Sequence, residues 1–148
     1  MLATPHPPDI DQPDVDDSQR SVTRALTLIA SFRYAFMGIG YLIWTQRNAK
    51  IHCVIGVIAV VLGIVLPISR VEWAVLIVTI ALVLAMEGVN TAVEAVVDLA
   101  SPEYHALAKV AKDVAAGTVL LAAIASVIVG IIIFLPHLWT FVLQWLQL

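Results

Sequence analysis

Three apolar stretches, 48–66, 71–97 and 114–135, constrain this chain more than anything else in it, and the second closes on EGVNTAVEAVVD, residues 87–98. Each stretch is about 20 residues, the length that about 30 Å of hydrocarbon demands of a helix. The expected fold class is an all-α membrane protein with three transmembrane helices. Two acids, Glu87 and Glu94, lie inside the middle stretch. A carboxylate in an apolar segment is costly unless it is paired, protonated or bound to a cation. A helix here puts Glu87, Asn90, Thr91, Glu94 and Asp98 at i, i+3, i+4, i+7 and i+11, which makes one polar stripe. A metal–nucleotide complex is the candidate that compensates for the buried charge.

Composition supports the membrane reading. The apolar fraction is 61% and the charged fraction 13%, against about 45–50% and about 25% in soluble domains. The net charge of -3 misleads, because residues 1–19 hold five Asp and no Lys or Arg. The rest carries eight basic and six acidic residues. No basic cluster suggests nucleic acid. The single Cys53 excludes a disulfide scaffold and a cysteine metal site. The acidic, Pro-rich start has the wrong character for a cleaved signal peptide.

Residues 1–19 read as a disordered, dispensable cytoplasmic tail. Residues 20–148 read as one membrane-integral domain. Its first part, 21–46, repeats Val22, Leu26, Ile29, Phe32, Phe36, Ile39 and Ile43 at helical spacing, with Arg20, Arg24 and Arg33 among them. That pattern fits an amphipathic helix lying on the membrane surface, with Gly38 and Gly40 as points of bending. It would pack on the bundle or also cover the site and touch lipid. The segment QRNAKIH, 46–52, is a polar hinge. Pro67-Ile68-Ser69-Arg70 separates the first two spans. Residues 98–112 form a polar connection in which Pro102 can open a new helix. Pro136 and His137 are expected to end the third span and leave a short interfacial tail.

Seven of the eight Lys and Arg lie at or before the start of the first span or between the second and third. The positive-inside rule puts the N-terminus and the 98–112 connection in the cytoplasm and the C-terminus outside. The location expected is the bacterial inner membrane, with several passes. Asp98 then sits at the cytoplasmic surface, with Glu94 about 6 Å and Glu87 about 16 Å deeper. A soluble charged ligand reaches Glu94 from one side, and a lipid headgroup approaches Glu87 from another.

A second polar cluster stands at the same level. On a helix His105, Lys109, Lys112 and Asp113 share a face. Two ammonium groups there suit the oxygens of a triphosphate. Asp113 would hold a lysine, or accept from a ribose or an adenine. The competing reading makes the lysines topology signals and Asp113 their surface partner. A helical-bundle channel or proton relay, or a non-catalytic membrane subunit, would also use the two glutamates, but would leave Lys112 and Asp113 without a task.

EGVNTAVEAVVDL and EYHALAKVAKDVAAGTVL, with FRYAFMGI and QRNAKIH upstream, resemble the prokaryotic diacylglycerol kinase and undecaprenol kinase family. The resemblance runs from about Phe32 to Pro136. It implies a homotrimer of three-span protomers, each with a surface helix, and active sites shared between neighbouring subunits. It implies a kinase that uses ATP and Mg²⁺ on a membrane lipid. By position, Glu87 resembles the general base that takes the proton from the lipid hydroxyl, and Glu94 the carboxylate that binds the metal. Asn90 resembles the residue beside the transferring phosphate. Lys112 and Asp113 resemble a nucleotide-contacting pair, and Asp98 an acid near the base or ribose. Glu87, Asn90 and Arg33 are the expected contacts to the lipid substrate. Where this chain has Gln46, the family commonly has Glu, a second metal ligand. An amide carbonyl without charge binds Mg²⁺ less well. QRNAKIH, the EW at 72–73 and AKDVAAG lean toward the undecaprenol branch.

Overall fold

The computed structural model describes residues 17–146, with side chains over 27–146. The described residues form four helices: α1 Asp17–Thr45, α2 Arg47–Val65, α3 Arg70–Ala100 and α4 Ala106–Leu146. All four are long and apolar enough to cross a membrane by length and composition. Over Thr27–Thr45 α1 is the least apolar, with mean hydropathy 1.2 against 2.1, 2.0 and 2.9 for α2, α3 and α4. The expected N-terminal tail lies outside the described residues except at 17–19, where α1 has already begun.

The chain divides into two compact units, 1–37 and 38–148, with the boundary inside α1. In the first, Leu28, Ile29, Phe32, Phe36 and Met37 are exposed. In the second, α3 packs most extensively on α4 and less on α2, while α2 barely touches α4. Buried positions recur every seven residues: Ala49, Gly56 and Gly63 on α2, and Leu76, Val83 and Asn90 on α3. Seven is the repeat of helices that cross at about 20° and keep one seam in contact. Small residues on α2 let α3 approach. A Cβ on Gly56 would lie 3.2 Å from Ile80 Cγ2, and one on Gly63 would lie 2.9 Å from both Ile68 Cδ1 and Trp73 Cη2. The core cluster of Leu66, Ile68, Leu76 and Ile133 sits at this end, beside the α2–α3 turn. Other large apolar side chains, such as Ile58, Val78 and Ile131, face outward, as helices solvated by hydrocarbon allow.

The α2–α3 turn is closed by its own side chains. Ser69 Oγ accepts from Glu72 N–H at 3.3 Å, and Glu72 Oε2 accepts from Ser69 N–H at 2.6 Å, a reciprocal capping box. At the other end of α3 the helix runs to Ala100. Ser101 Oγ donates to Glu103 O at 3.0 Å. The next helix starts at Ala106, not at Pro102, because His105 does the capping. Its Nδ1 accepts from Leu107 N–H at 3.2 Å, and its carbonyl accepts from Lys109 N–H at 3.1 Å.

Pro136 does not stop α4, which continues to Leu146. A proline inside a helix leaves one carbonyl without its N–H. Here side chains supply donors around the gap. His137 Nδ1 donates to Ile133 O at 2.8 Å and Thr140 Oγ1 to Pro136 O at 3.0 Å. The separate interfacial tail expected after 136 is therefore the last turns of α4.

Candidate active site

The polar stripe of α3 passes from buried to exposed as the helix approaches its C-terminal end. Glu87 is 2% exposed and Asn90 7%. Thr91 and Glu94 are half-buried, and Asp98 is exposed. The helix repeat puts these residues on one face, and burial falls along it as α3 nears its end at Ala100.

The stripe is partly wired and partly open. Asn90 Nδ2 donates to Glu94 Oε1 at 3.1 Å. Thr91 Oγ1 donates to the Glu87 carbonyl at 2.9 Å, an internal helix bond that leaves the carboxylate untouched. Among the described residues, Glu87 Oε2 and Asn90 Oδ1 are buried with no hydrogen-bond partner. A buried polar atom left unpaired costs about 1–3 kcal/mol. His52 on α2 and Glu94 on α3 lie within electrostatic reach of the Glu87 carboxyl. The sequence reading placed His52 only in a polar hinge. The signal was available: an acid inside an apolar span calls for a named partner, and His52 is the basic side chain that lies furthest along α2 into the apolar run.

Beyond the stripe, Lys112 Nζ meets Asp98 Oδ1 at 2.5 Å and ties the end of α3 to the start of α4 across fourteen positions of sequence. Lys109 Nζ meets Asp113 Oδ2 at 2.5 Å along one face of α4. Both pairs are partly exposed, so each is worth about 0–1 kcal/mol in stability. Their effect is placement: they hold two ammonium groups and two carboxylates together at one end of the helical bundle. Asp113 thus pairs with Lys109 rather than with its neighbour Lys112. His105 caps α4 instead of joining the Lys109 face.

Two further expected site residues make no hydrogen bond to the stripe among the described residues. Gln46 precedes α2 and its side chain caps nothing; among the described residues no hydrogen bond links it to Glu94. Arg33 belongs to the first unit, where its guanidinium lies 5.4 Å from the centre of the Tyr34 ring.

Hard oxygen donors are what Mg²⁺ takes, through one or two carboxylates plus nucleotide phosphates and water. The half-buried Glu94, steered by the Asn90 amide, and the unpartnered Asn90 Oδ1 suit that role. Among the described residues no group of three His, Cys, Asp or Glu forms an all-protein cage.

The model of the family described as prokaryotic diacylglycerol kinase matches residues 33–134. The chain belongs to the prokaryotic diacylglycerol kinase family. It is 50% identical over 115 residues to a diacylglycerol kinase of Synechocystis, a match covering 77% of this chain and 66% of that protein. The chain thus spans just under two thirds of that relative's length. It is 39% identical over 108 residues to the undecaprenol kinase of Bacillus subtilis, covering 73% of this chain and 88% of that one. To the diacylglycerol kinase of Escherichia coli K12 it is 39% identical over 80 residues, 54% of this chain and 66% of the relative. Both names describe lipid kinases, and they support the lipid-kinase reading of this family member. With its long apolar helices, the chain is a membrane protein.

Proposed function

We propose that the chain is an ATP- and Mg²⁺-dependent lipid kinase of the bacterial inner membrane, acting on a lipid hydroxyl at the cytoplasmic interface. One observation carries this reading: a buried carboxylate without a protein donor, on the same helix face as an ion-paired end. A proton relay would use the first feature but not the second. A nucleotide site needs cations at the water-accessible end and a base below them, where a lipid alcohol can reach.

In this reading Glu87 Oε2 accepts the proton of the lipid hydroxyl as the oxygen attacks the terminal phosphorus of ATP. The bond from that phosphorus to the bridging oxygen breaks, and ADP leaves. Asn90 orients the transferring phosphate and, through its amide N–H, the Glu94 carboxylate. Lys112 neutralises phosphate charge, with Asp98 fixing its ammonium. Asp113 and Lys109 flank the nucleotide. Mg²⁺ would be held by Glu94, with Gln46 as a neutral second donor, and supplies charge neutralisation on the phosphates. Positioning and electrostatics do most of the work in such transfers.

Three spans with α1 on the cytoplasmic surface fit the low hydropathy of α1 and its arginines. The N-terminus is then cytoplasmic and the C-terminus outside. A homotrimer with composite sites would give Glu87 and Asn90 further neighbours and bring Arg33 to the lipid. The acceptor is a lipid alcohol. The Synechocystis relative favours diacylglycerol; the QRNAKIH and AKDVAAG segments favour undecaprenol.

The test is phosphorylation in mixed micelles with labelled ATP and Mg²⁺, offering diacylglycerol and undecaprenol separately. One of them should be labelled. Glu87→Gln and Glu94→Gln should each remove about 99% of turnover or more, the scale of losing a general base or a charge-stabilising group. Near-normal turnover in either variant strips that residue of its role. No label on either lipid overturns the reading as a whole.

A further inference from the structure

Two contacts set α3 and α4 side by side and antiparallel. Lys112 meets Asp98 at one end, and His137 Nε2 stands 3.8 Å from Glu72 Oε2 at the other. Glu72 lies in the first turn of α3, which opens at Arg70, yet α4 continues to Leu146. Residues 138–146 therefore overrun the Glu72 level by about 13 Å. They also lie beyond the matched residues 33–134.

Two stripes on α4 behave differently at that level. The outward stripe is Ile128, Ile131, Leu135, Trp139, Val142 and Leu146, three or four apart on one helix face. All six are exposed, and the stripe stays apolar through the overrun. The opposite stripe begins as core, where Ile133 clusters with Leu66 and Leu76. Past Ile133 it turns polar, as His137, Thr140 and Gln144. There it lines a cavity of about 210 Å³ shared with Pro67 of the α2–α3 turn. Gln144 is exposed, and its amide makes no hydrogen bond among the described residues. An amide in that position calls for water.

The stripe that faces the bundle changes chemistry where the bundle stops. The stripe that faces outward does not, so its surroundings are the same on both sides of Pro136, and before Pro136 they are hydrocarbon. Length agrees. Val114–Leu146 holds no Asp, Glu, Lys or Arg and is about 50 Å long. A bilayer with its headgroup layers is about 40–45 Å thick, and a tilt of about 20° takes up much of the difference. We propose that the outward face of α4 beyond Pro136 is a lipid-contact surface for the leaflet opposite the Asp98–Lys112 end, while its inner face lines a wet recess over the α2–α3 turn. Trp145 then stands at headgroup level, where indoles collect. The occupant is lipid and not a second copy. The face offers Trp, Val and Leu, with no Gly, Ala or Ser of the kind that lets membrane helices approach closely. Its work is anchorage: one helix crosses the whole bilayer and holds the shorter α2–α3 hairpin within it. The proposal needs a membrane protein and does not rest on the lipid-kinase reading.

Spin labels report both faces in one experiment. Single cysteines replace each residue from 138 to 146, and Ile128 as a lipid-facing reference, in the full chain carrying Cys53→Ser. Each is labelled with a nitroxide in vesicles of phosphatidylethanolamine and phosphatidylglycerol. Oxygen concentrates in hydrocarbon, while a nickel chelate stays in water. The oxygen-to-nickel accessibility ratio should peak at 139, 142 and 146 and dip at 140 and 144, with peaks about fivefold or more above dips, because the polar chelate is excluded from lipid. Trp139→Cys should resemble Ile128→Cys. The reference label confirms insertion, and the period is read over nine sites, so a single variant that fails to fold does not decide the result. High nickel accessibility all round the helix places the overrun in water. Low accessibility to both probes at 139 and 142 places protein over it. A high ratio at every site removes the wet recess. Each of these three outcomes overturns the proposal.

Discussion

The two ends of the helical bundle spend their polar groups in opposite ways. At the α2–α3 turn the capping groups are matched locally. Ser69 and Glu72 satisfy each other's backbone, His137 lies 3.8 Å from Glu72, and the side chains beneath them interlock around two glycines. At the α3–α4 end a carboxylate is buried with no donor, an amide oxygen is left over, and four charges gather at the surface. The first end resembles a finished core. The second costs stability that the protomer itself does not recover. Unsatisfied buried groups in a native protein mark places where another molecule completes the structure. The division of labour is therefore between an end that holds the helices together and an end that works.

The largest effect expected from that contrast is at Glu87. Glu87→Leu replaces an unpartnered buried acid with an apolar side chain of similar volume. Lipid phosphorylation should vanish, while thermal unfolding in detergent should shift upward, by about 1–3 kcal/mol in stability. Activity and stability moving in opposite directions is the signature of a site that functions at the expense of the fold. A variant that is both inactive and less stable would place Glu87 among the structural residues and erase the contrast.

A smaller effect should come from the finished end. At Gly63 any side chain meets the Trp73 ring and Ile68 at 2.9 Å. Ile68 can turn its terminal methyl aside, but the indole is rigid. Gly63→Leu should destabilise by about 1–3 kcal/mol through overpacking. The KM for ATP of the surviving folded protein should stay within twofold of wild type, read by the same micelle assay at a temperature below its transition. A selective rise in that KM would mean that the two ends are coupled through α2, not independent.

Much of this contrast is legible in the sequence, for physical reasons. A polar stripe inside an apolar segment has one helical arrangement, so the grouping of Glu87, Asn90 and Glu94 follows from spacing alone. The three long apolar helices follow from hydrophobic runs of membrane length. What spacing does not carry is the meeting of separate helices. The Asp98–Lys112 pair crosses the α3–α4 turn, and Asp113 turns to Lys109 because residues four apart on a helix face each other while immediate neighbours do not. His52 looked like part of a hinge because Glu87, the acid within its electrostatic reach, is thirty-five positions away. Pro136 misled for another reason. Proline removes a donor wherever it stands, but one lost bond does not end a helix that is apolar on both sides of it, and His137 and Thr140 add side-chain bonds to the neighbouring carbonyls of Ile133 and Pro136.

The smallest effect separates stability from function most cleanly. Ser69 caps α3 at the finished end, eighteen residues before Glu87, where the stripe begins. Ser69→Ala removes the acceptor for Glu72 N–H but leaves the Glu72 carboxylate free to accept from the backbone of residue 69. Half the capping box survives, so the loss should be about 0.5–2 kcal/mol, as for other helix caps. Thermal unfolding in detergent measures it. Both kcat and the KM for the lipid should be unchanged, because α3 is anchored along its length by its packing on α4 and does not need its first turn to hold Glu87. If kcat falls with the cap, strain at the α2–α3 turn reaches Glu87 through the helix axis, and the two ends form one mechanical unit.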